Sequence, residues 1–353
     1  QGFVVDTVCL LGDVVPDEEA VFTIFANLQR RYDYILGVGS GTLNDLSKFI
    51  SFKLQLDYGI VATAPSMDGF ASVGAALITH DLKTTYDCHV PTAIFGDLNV
   101  LANAPLEMIK AGLGDIVGKY SCLVDWKISH IINEEYYCPT IVEMVYKSIQ
   151  EVVENADGVL KRDKKAVKAI TEALIETGMA MGFVGNSRPA SGSEHHVSHY
   201  WEMKFLFAHR KAVFHGTKVG LATPGVIALW KQLAKEDIDF DGCKAKVASF
   251  DQKAWERCVR DHFEGAAQGV IELEAGKNDI EKAKQRIDHI QKHWDTIKDV
   301  IVNELPDPVK IIQILKAIDA PYRPIDVGIE DSLVKDSLIL AKEVRVRYGL
   351  LQL

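Results

Sequence analysis

Apolar residues in the first hundred positions come in short bursts separated by amphipathic stretches. TVCLL (7–11), YILGVGSG (34–41), GIVATAPS (59–66) and TAIFGDL (92–98) are apolar runs of strand length. Between them PDEEAVFTIFANLQRR and TLNDLSKFISFKLQ repeat their apolar residues every three or four positions. That alternation predicts a parallel sheet with crossover helices. The rhythm opens on what reads as a second strand, so a first strand and helix are expected to be missing from this sequence. From APLEMIKAG onward the period becomes helical and stays so: PTIVEMVYKSIQEVVENA, KKAVKAITEALIETGMAMGF and DSLVKDSLILAKEVRVRYGLL all read as helices. Pro105 is suited to open a helix, which divides the chain into an α/β unit over 1–104 and a helical unit over 105–353.

Composition narrows the function classes. No apolar run is long enough to cross a bilayer, and the first residues carry no basic region ahead of their apolar stretch, so a soluble protein without membrane insertion is expected. The net charge of -10 argues against a nucleic-acid surface, which needs a dense cationic stripe. The six cysteines show no CxxC pairing, which fits a reducing cytoplasm and argues against a disulfide framework or a thiolate zinc site. The charge-rich stretch from Ala234 to Lys298 reads as solvated helix faces without chemistry.

Three segments carry candidate chemistry. In YILGVGSGTLNDLSKFI an apolar strand runs into Gly37, Gly39 and Gly41 and then a helix, where small residues let a pyrophosphate approach the helix's free amides. The spacing is not GxGxxG, and such turns also serve purely structural ends. GIVATAPSMDGFASVGAAL ends a strand in a loop holding Thr63, Ser66, Asp68 and Ser72. Loops from successive parallel strands flank one crevice, although Asp68 and Ser72 also suit a cap or an Asx turn. The third is Asp115 in AGLGDIVGKYSCLVDW, His195 and His199 in SGSEHHVSHYWEM, and His215 in VFHGTKVG. His195 and His199 share a helix face, so either suits a divalent metal together with a carboxylate and another imidazole. The pattern is not HExxH, so metalloprotease chemistry has no support.

In this order GSGTLNDLSK, TAPSMDGFAS, GLGDIVGKYSCLVDW, SRPASGSEHHVSHYWEM and HGTKVG resemble the glycerol-1-phosphate dehydrogenases of the bacterial AraM type, within the glycerol dehydrogenase and dehydroquinate synthase-like superfamily. The resemblance covers nearly the whole chain. It implies a Rossmann-like nucleotide-binding α/β domain and a C-terminal helical domain, with cofactor, metal and substrate meeting between them. The superfamily's Gly-Gly-Gly-Ser-x-x-Asp-x-x-Lys pattern falls on Gly39, Ser40, Gly41, Thr42, Asp45 and Lys48. Dinucleotide contacts are implied at Gly39, Ser40, Gly41, Asp45, Thr63 and Ser66, with Ser72 in the same loop. Asp68 is the implied substrate-contacting aspartate.

The implied metal ligands are Asp115, His195 and His215, with His199 near the site. The usual His-Gly-Glu is here His215-Gly216-Thr217, which leaves the partner of His215 open. The implied reaction is reversible reduction of dihydroxyacetone phosphate to sn-glycerol 1-phosphate by NADH or NADPH in a homodimer. Zinc is the first choice of metal and nickel or iron the alternatives, because one carboxylate and two imidazoles accept all three. Asp68 and His199 are the expected proton relay; Lys119, Arg188 and Lys218 are the cations close to the ligands that could meet the phosphate, with Lys119 and Arg188 the expected contacts. Competing readings are a dehydroquinate synthase-like lyase, a glycerol dehydrogenase acting on an unphosphorylated polyol, and a non-catalytic nucleotide-binding protein.

Overall fold

A computed structural model describes residues 2–79 and 82–353. Strands β1 (Tyr34–Gly39), β2 (Asp57–Ala62) and β5 (Ala93–Phe95) form a parallel sheet in the order β1-β2-β5. Gly39 lies opposite Ala62, so the loops leaving β1 and β2 start side by side. Strands β3 (Gly74–Thr79) and β4 (Leu82–Asp87) form a separate antiparallel hairpin. Helices α1 (Glu18–Ala26), α2 (Gly41–Leu54) and α3 (Leu98–Ala102) complete this part. The helical part comprises α4 (Leu106–Asn133), α5 (Pro139–Glu154), α6 (Lys164–Val184), α7 (Ser193–Phe207), α8 (His215–Leu233), α9 (Phe240–Ala248), α10 (Gln252–Phe263), α11 (Ala267–Glu274), α12 (Ile280–Glu304), α13 (Pro308–Ala317) and α14 (Asp331–Leu340). Among the described residues no helix is long and apolar enough to cross a membrane.

The structure corrects the pattern in two places. TVCLL forms no strand, and Val4, Val5 and Leu11 remain exposed. An apolar run becomes a strand only where another strand accepts its backbone hydrogen bonds, and the nearest such link is an isolated bridge from Asp17 to Ile78. The last expected helix ends at Leu340 and gives way to a 3-10 turn at Ala341–Glu343, an irregular stretch and a second 3-10 turn at Leu350–Gln352. In the irregular stretch Val344, Arg345, Val346, Arg347 and Tyr348 alternate with a period of two, which a helix cannot use to bury one face. The tail runs back over the start of α7, where Arg347 donates to the Ser191 carbonyl at 2.9 Å and to the Ser187 hydroxyl at 2.6 Å.

Helix α4 organises the helical part. Every residue from Ile109 to Trp126 is buried, because α5, α6, α7, α8 and α12 surround it. Such a helix normally carries apolar residues all round. Here it also carries Lys110, Asp115, Lys119 and Asp125, each of which needs a partner to offset lost hydration.

The contact of α4 with α8 is a backbone-to-backbone approach. A Cβ on Gly114 would stand 2.5 Å from the Gly216 carbonyl oxygen, and one on Gly216 would overlap the Ala111 carbonyl. These glycines bring Asp115 and His215 close together. Gly216→Ala is therefore expected to lower stability by about 1–3 kcal/mol in urea denaturation, through overpacking. Gly225→Ala, on the same helix with nothing within 4 Å of where its Cβ would stand, serves as the control and is expected to leave the midpoint unchanged or slightly raised. Equal midpoints for the two variants would remove the close-approach explanation.

Candidate metal centre

Asp115 projects from α4, His195 from the first turn of α7 and His215 from the first residue of α8. One carboxylate oxygen and one ring nitrogen from each histidine lie within 4.8 Å of one another. Asp115 is fully buried and His195 nearly so. The ring centroids of His195 and His215 are 5.2 Å apart, and His195 Nε2 is 3.6 Å from Asp115 Oδ1. His215 has no hydrogen-bond partner for its ring among the described residues, and burial drives it down to about 3 against the pull of Asp115, so the imidazole is neutral. A carboxylate and two imidazoles with nitrogens turned inward fit a divalent metal of the zinc, nickel or iron type.

Glu194, which the sequence places beside the histidines, is a site residue to which the sequence reading gave no role. Its Oε1 takes His195 Nδ1 at 2.7 Å and the Gly192 amide at 2.7 Å. The hydrogen bond fixes the tautomer and leaves Nε2 facing Asp115, the carboxylate–histidine arrangement found behind metal-binding imidazoles. The signal was present in the sequence as a carboxylate adjacent to the histidine, but adjacency on a helix does not normally bring side chains together. Burial opposes ionisation of Glu194, yet its bonds to His195 and the Gly192 amide hold it below the usual carboxylate range.

A second candidate group, His199, Glu202 and His215, also lies within 4.8 Å. His199 Nδ1 stands 3.3 Å from Glu202, whose carboxylate is already paired with Lys83 at 2.8 Å and Lys218 at 3.1 Å. Two cations on one carboxylate weaken it as a metal ligand. His199 therefore sits beside the Asp115 group, 5.5 Å from His215 between ring centroids.

Lys119 lies one turn along α4 from Asp115 and spends its ammonium on Asp68 at 2.6 Å, Asp115 at 2.7 Å and the Ala190 carbonyl at 2.8 Å. Burial opposes its charge, but the two carboxylates raise it above the ordinary lysine range. For Asp115, burial is likewise outweighed by Lys119 and the histidines, so its carboxyl is held below the usual range. Lys119 has no donor left for a phosphate. Arg188 is not free either: it donates to Glu135 Oε1 at 2.7 Å, the Tyr348 carbonyl at 2.7 Å and the Ser129 hydroxyl at 2.9 Å, and pairs with the second Glu135 oxygen. A buried cation recruits carboxylates, and the expected phosphate contacts Lys119 and Arg188 give way for that reason.

The loops after β1 and β2 converge on the same region. The Thr63 amide donates to the Gly39 carbonyl at 3.0 Å, and the Ser40 and Ser66 hydroxyls meet at 2.8 Å. Ser40 therefore does not cap α2, which leaves first-turn amides at Gly41 open to an anion. This uncapped terminus at the carboxyl end of β1 fits a dinucleotide pyrophosphate. Asp45 and Ser72 are placed differently. Asp45 is on the side of α2 facing β3, near Lys48, and burial raises it to about 6. Ser72 is held by Lys48 at 3.1 Å and by the Gly69 carbonyl at 3.0 Å. Asp68 joins the two regions, since its amide donates to Asp115 Oδ2 at 3.1 Å while its own carboxylate takes Lys119.

A protein named glycerol-1-phosphate dehydrogenase [NAD(P)+] from Geobacillus thermodenitrificans is 32% identical over 350 residues, covering 96% of this chain and 77% of that protein. Its namesake from Geobacillus stearothermophilus is 33% identical over 345 residues with the same coverage. The chain belongs to the glycerol-1-phosphate dehydrogenase family. A profile described as iron-containing alcohol dehydrogenase matches residues 4–105. Among solved structures, sulfoacetaldehyde reductase from Bifidobacterium kashiwanohense in complex with NAD+ aligns with a TM-score of 0.55 at 12% identity, covering 92% of this chain and 73% of that one. Glycerol dehydrogenase from Schizosaccharomyces pombe aligns at 0.52 with 16% identity, over 89% and 79%. These neighbours establish the glycerol dehydrogenase-like fold, an α/β part joined to a helical part. Membership of a glycerol-1-phosphate dehydrogenase family makes the chain a metal-binding, NAD(P)-linked oxidoreductase.

Within this family member the Glu194–His195 bond is expected to set metal affinity. Glu194→Gln should weaken zinc binding about 10- to 100-fold in a chelator-competition titration. Undiminished zinc binding would show that the carboxylate does not support the ligand.

Proposed function

We propose that this chain reduces dihydroxyacetone phosphate to sn-glycerol 1-phosphate with NADH or NADPH, reversibly, in the cytoplasm and as a homodimer. The observation that carries the reading is the link through Asp68 between the nucleotide loop and the Asp115–His195–His215 group. Asp115, His195 and His215 would hold the metal, with zinc the first choice, and Gly39, Ser40, Gly41, Thr63 and Ser66 would hold the dinucleotide. When bound, the metal supplies Lewis-acid polarisation of a ketone oxygen and the nicotinamide supplies the hydride.

The chain's own residues do the rest. Glu194 orients His195, and Lys119 balances Asp68 and Asp115 so that two carboxylates tolerate each other's proximity in a buried site. Asp68 and His199 flank the group and are the side chains placed to deliver a proton to the alkoxide oxygen, directly or through water. Burial keeps His199 neutral despite Glu202, so it serves best as a relay fed from solvent. The relatives' names do not favour a carbocycle-forming lyase or an unphosphorylated polyol as substrate.

The test is a coupled absorbance assay with dihydroxyacetone phosphate and each reduced nicotinamide. Reduced cofactor should be consumed in stoichiometric proportion to the sn-1 phosphate formed. A chelator should abolish turnover, and zinc, nickel or ferrous iron should restore it. Consumption that never exceeds one equivalent per protein, or none with any of the three metals, would end this reading.

A further inference from the structure

With Lys119 and Arg188 committed elsewhere, the substrate's phosphate needs another site. We propose that Arg345, with Lys83 and Lys218, forms the subsite that takes the phosphate of the three-carbon substrate, an inference that rests on the reading of the chain as a dihydroxyacetone phosphate reductase.

The placement follows from α7. His195, His199 and Glu202 fall at i, i+4 and i+7 on one face, so the helix leads from the metal group outward to Glu202. A Glu202 oxygen lies within 4.8 Å of ring nitrogens on His199 and His215. Glu202 Oε1 takes Lys83 from β4 at 2.8 Å and Lys218 from α8 at 3.1 Å, while His199 meets Oε2. The two ammonium groups are thus one carboxylate away from a metal-ligand candidate.

Arg345 supplies the unsatisfied charge. It sits in the C-terminal tail, half-buried, close enough to Glu202 to feel its field, and its guanidinium makes no hydrogen bond among the described residues. A guanidinium removed from water without a hydrogen-bonded counter-ion is costly, and its planar fork matches a phosphate. Lys83, Thr85, Arg345 and Arg347 line one cavity of about 430 Å³. Arg347 is spent on Ser187 and Ser191, which leaves Arg345 as the open fork. Three cations, Lys83, Lys218 and Arg345, face the single carboxylate of Glu202. The surplus of two positive charges matches a phosphate monoester near its dianionic form.

The experiment uses the metal-loaded full chain as wild type, Arg345→Gln and Arg345→Lys. For Arg345→Gln, the KM for dihydroxyacetone phosphate should rise about 10- to 100-fold, the loss expected for a charge-assisted hydrogen bond. The KM for unphosphorylated dihydroxyacetone should stay within about twofold, and Arg345→Lys should recover part of the difference. Inorganic phosphate should compete with dihydroxyacetone phosphate in the wild type and lose potency by a similar factor in Arg345→Gln. A shift in KM for NADPH alone would reassign the arginine to the cofactor's phosphate. Equal effects on both ketones, or on neither, would overturn the subsite. If the wild type fails to turn over dihydroxyacetone phosphate, the functional reading falls first. Calorimetric binding of inorganic phosphate, compared between wild type and Arg345→Gln, then decides the subsite by itself. Should Arg345→Gln not fold, Lys83→Gln on the exposed edge of β4 gives the same readouts.

Discussion

Asp115 and Lys119 carry opposite charges on a helix that other helices enclose on every side. Neither reaches water, so each must be offset by neighbours, and the neighbours that do so form the site. Lys119 draws in Asp68 from the loop after β2 and the Ala190 carbonyl from the loop before α7. Asp115 draws the Asp68 amide and stands against His195 and His215. One buried ion pair thereby ties the α/β part, the start of α7 and the start of α8 to a single point.

The surrounding packing serves that point. Glycines 114 and 216 allow α4 and α8 to touch, which puts His215 beside Asp115 rather than a side chain's width away. Glu194 and Glu202 each take one ring nitrogen of a histidine and leave the other turned inward. Burial around the site is graded. Asp115 and His195 lie deepest together with the buried Lys218, Glu202 is partly exposed, and Lys83 and Arg345 line the cavity.

Much of this was legible in the sequence because the relevant signals are local. A strand ending in Gly39-Ser40-Gly41, a strand ending in Thr63 to Asp68, and histidines four apart are patterns with a direct geometric meaning, and β1, α2, β2 and α7 formed where those patterns stood. Non-local facts were not legible. Nothing near Arg188 in the chain announces Glu135, which meets it only because α4 ends and turns beneath the loop before α7. TVCLL has the composition of a strand but no partner to pair with. The alternation of Val and Arg from 344 to 347 was a period of two hidden at the end of a helical run, and overlooking it concealed the return of Arg345 toward the site.

X-ray absorption at the metal edge of the zinc-loaded protein addresses the Asp115–His195–His215 assignment most directly. A first shell of nitrogen and oxygen only is expected, with multiple-scattering features of two imidazoles that fall to one in His195→Ala. A sulfur scatterer, or two imidazoles persisting in that variant, would contradict it.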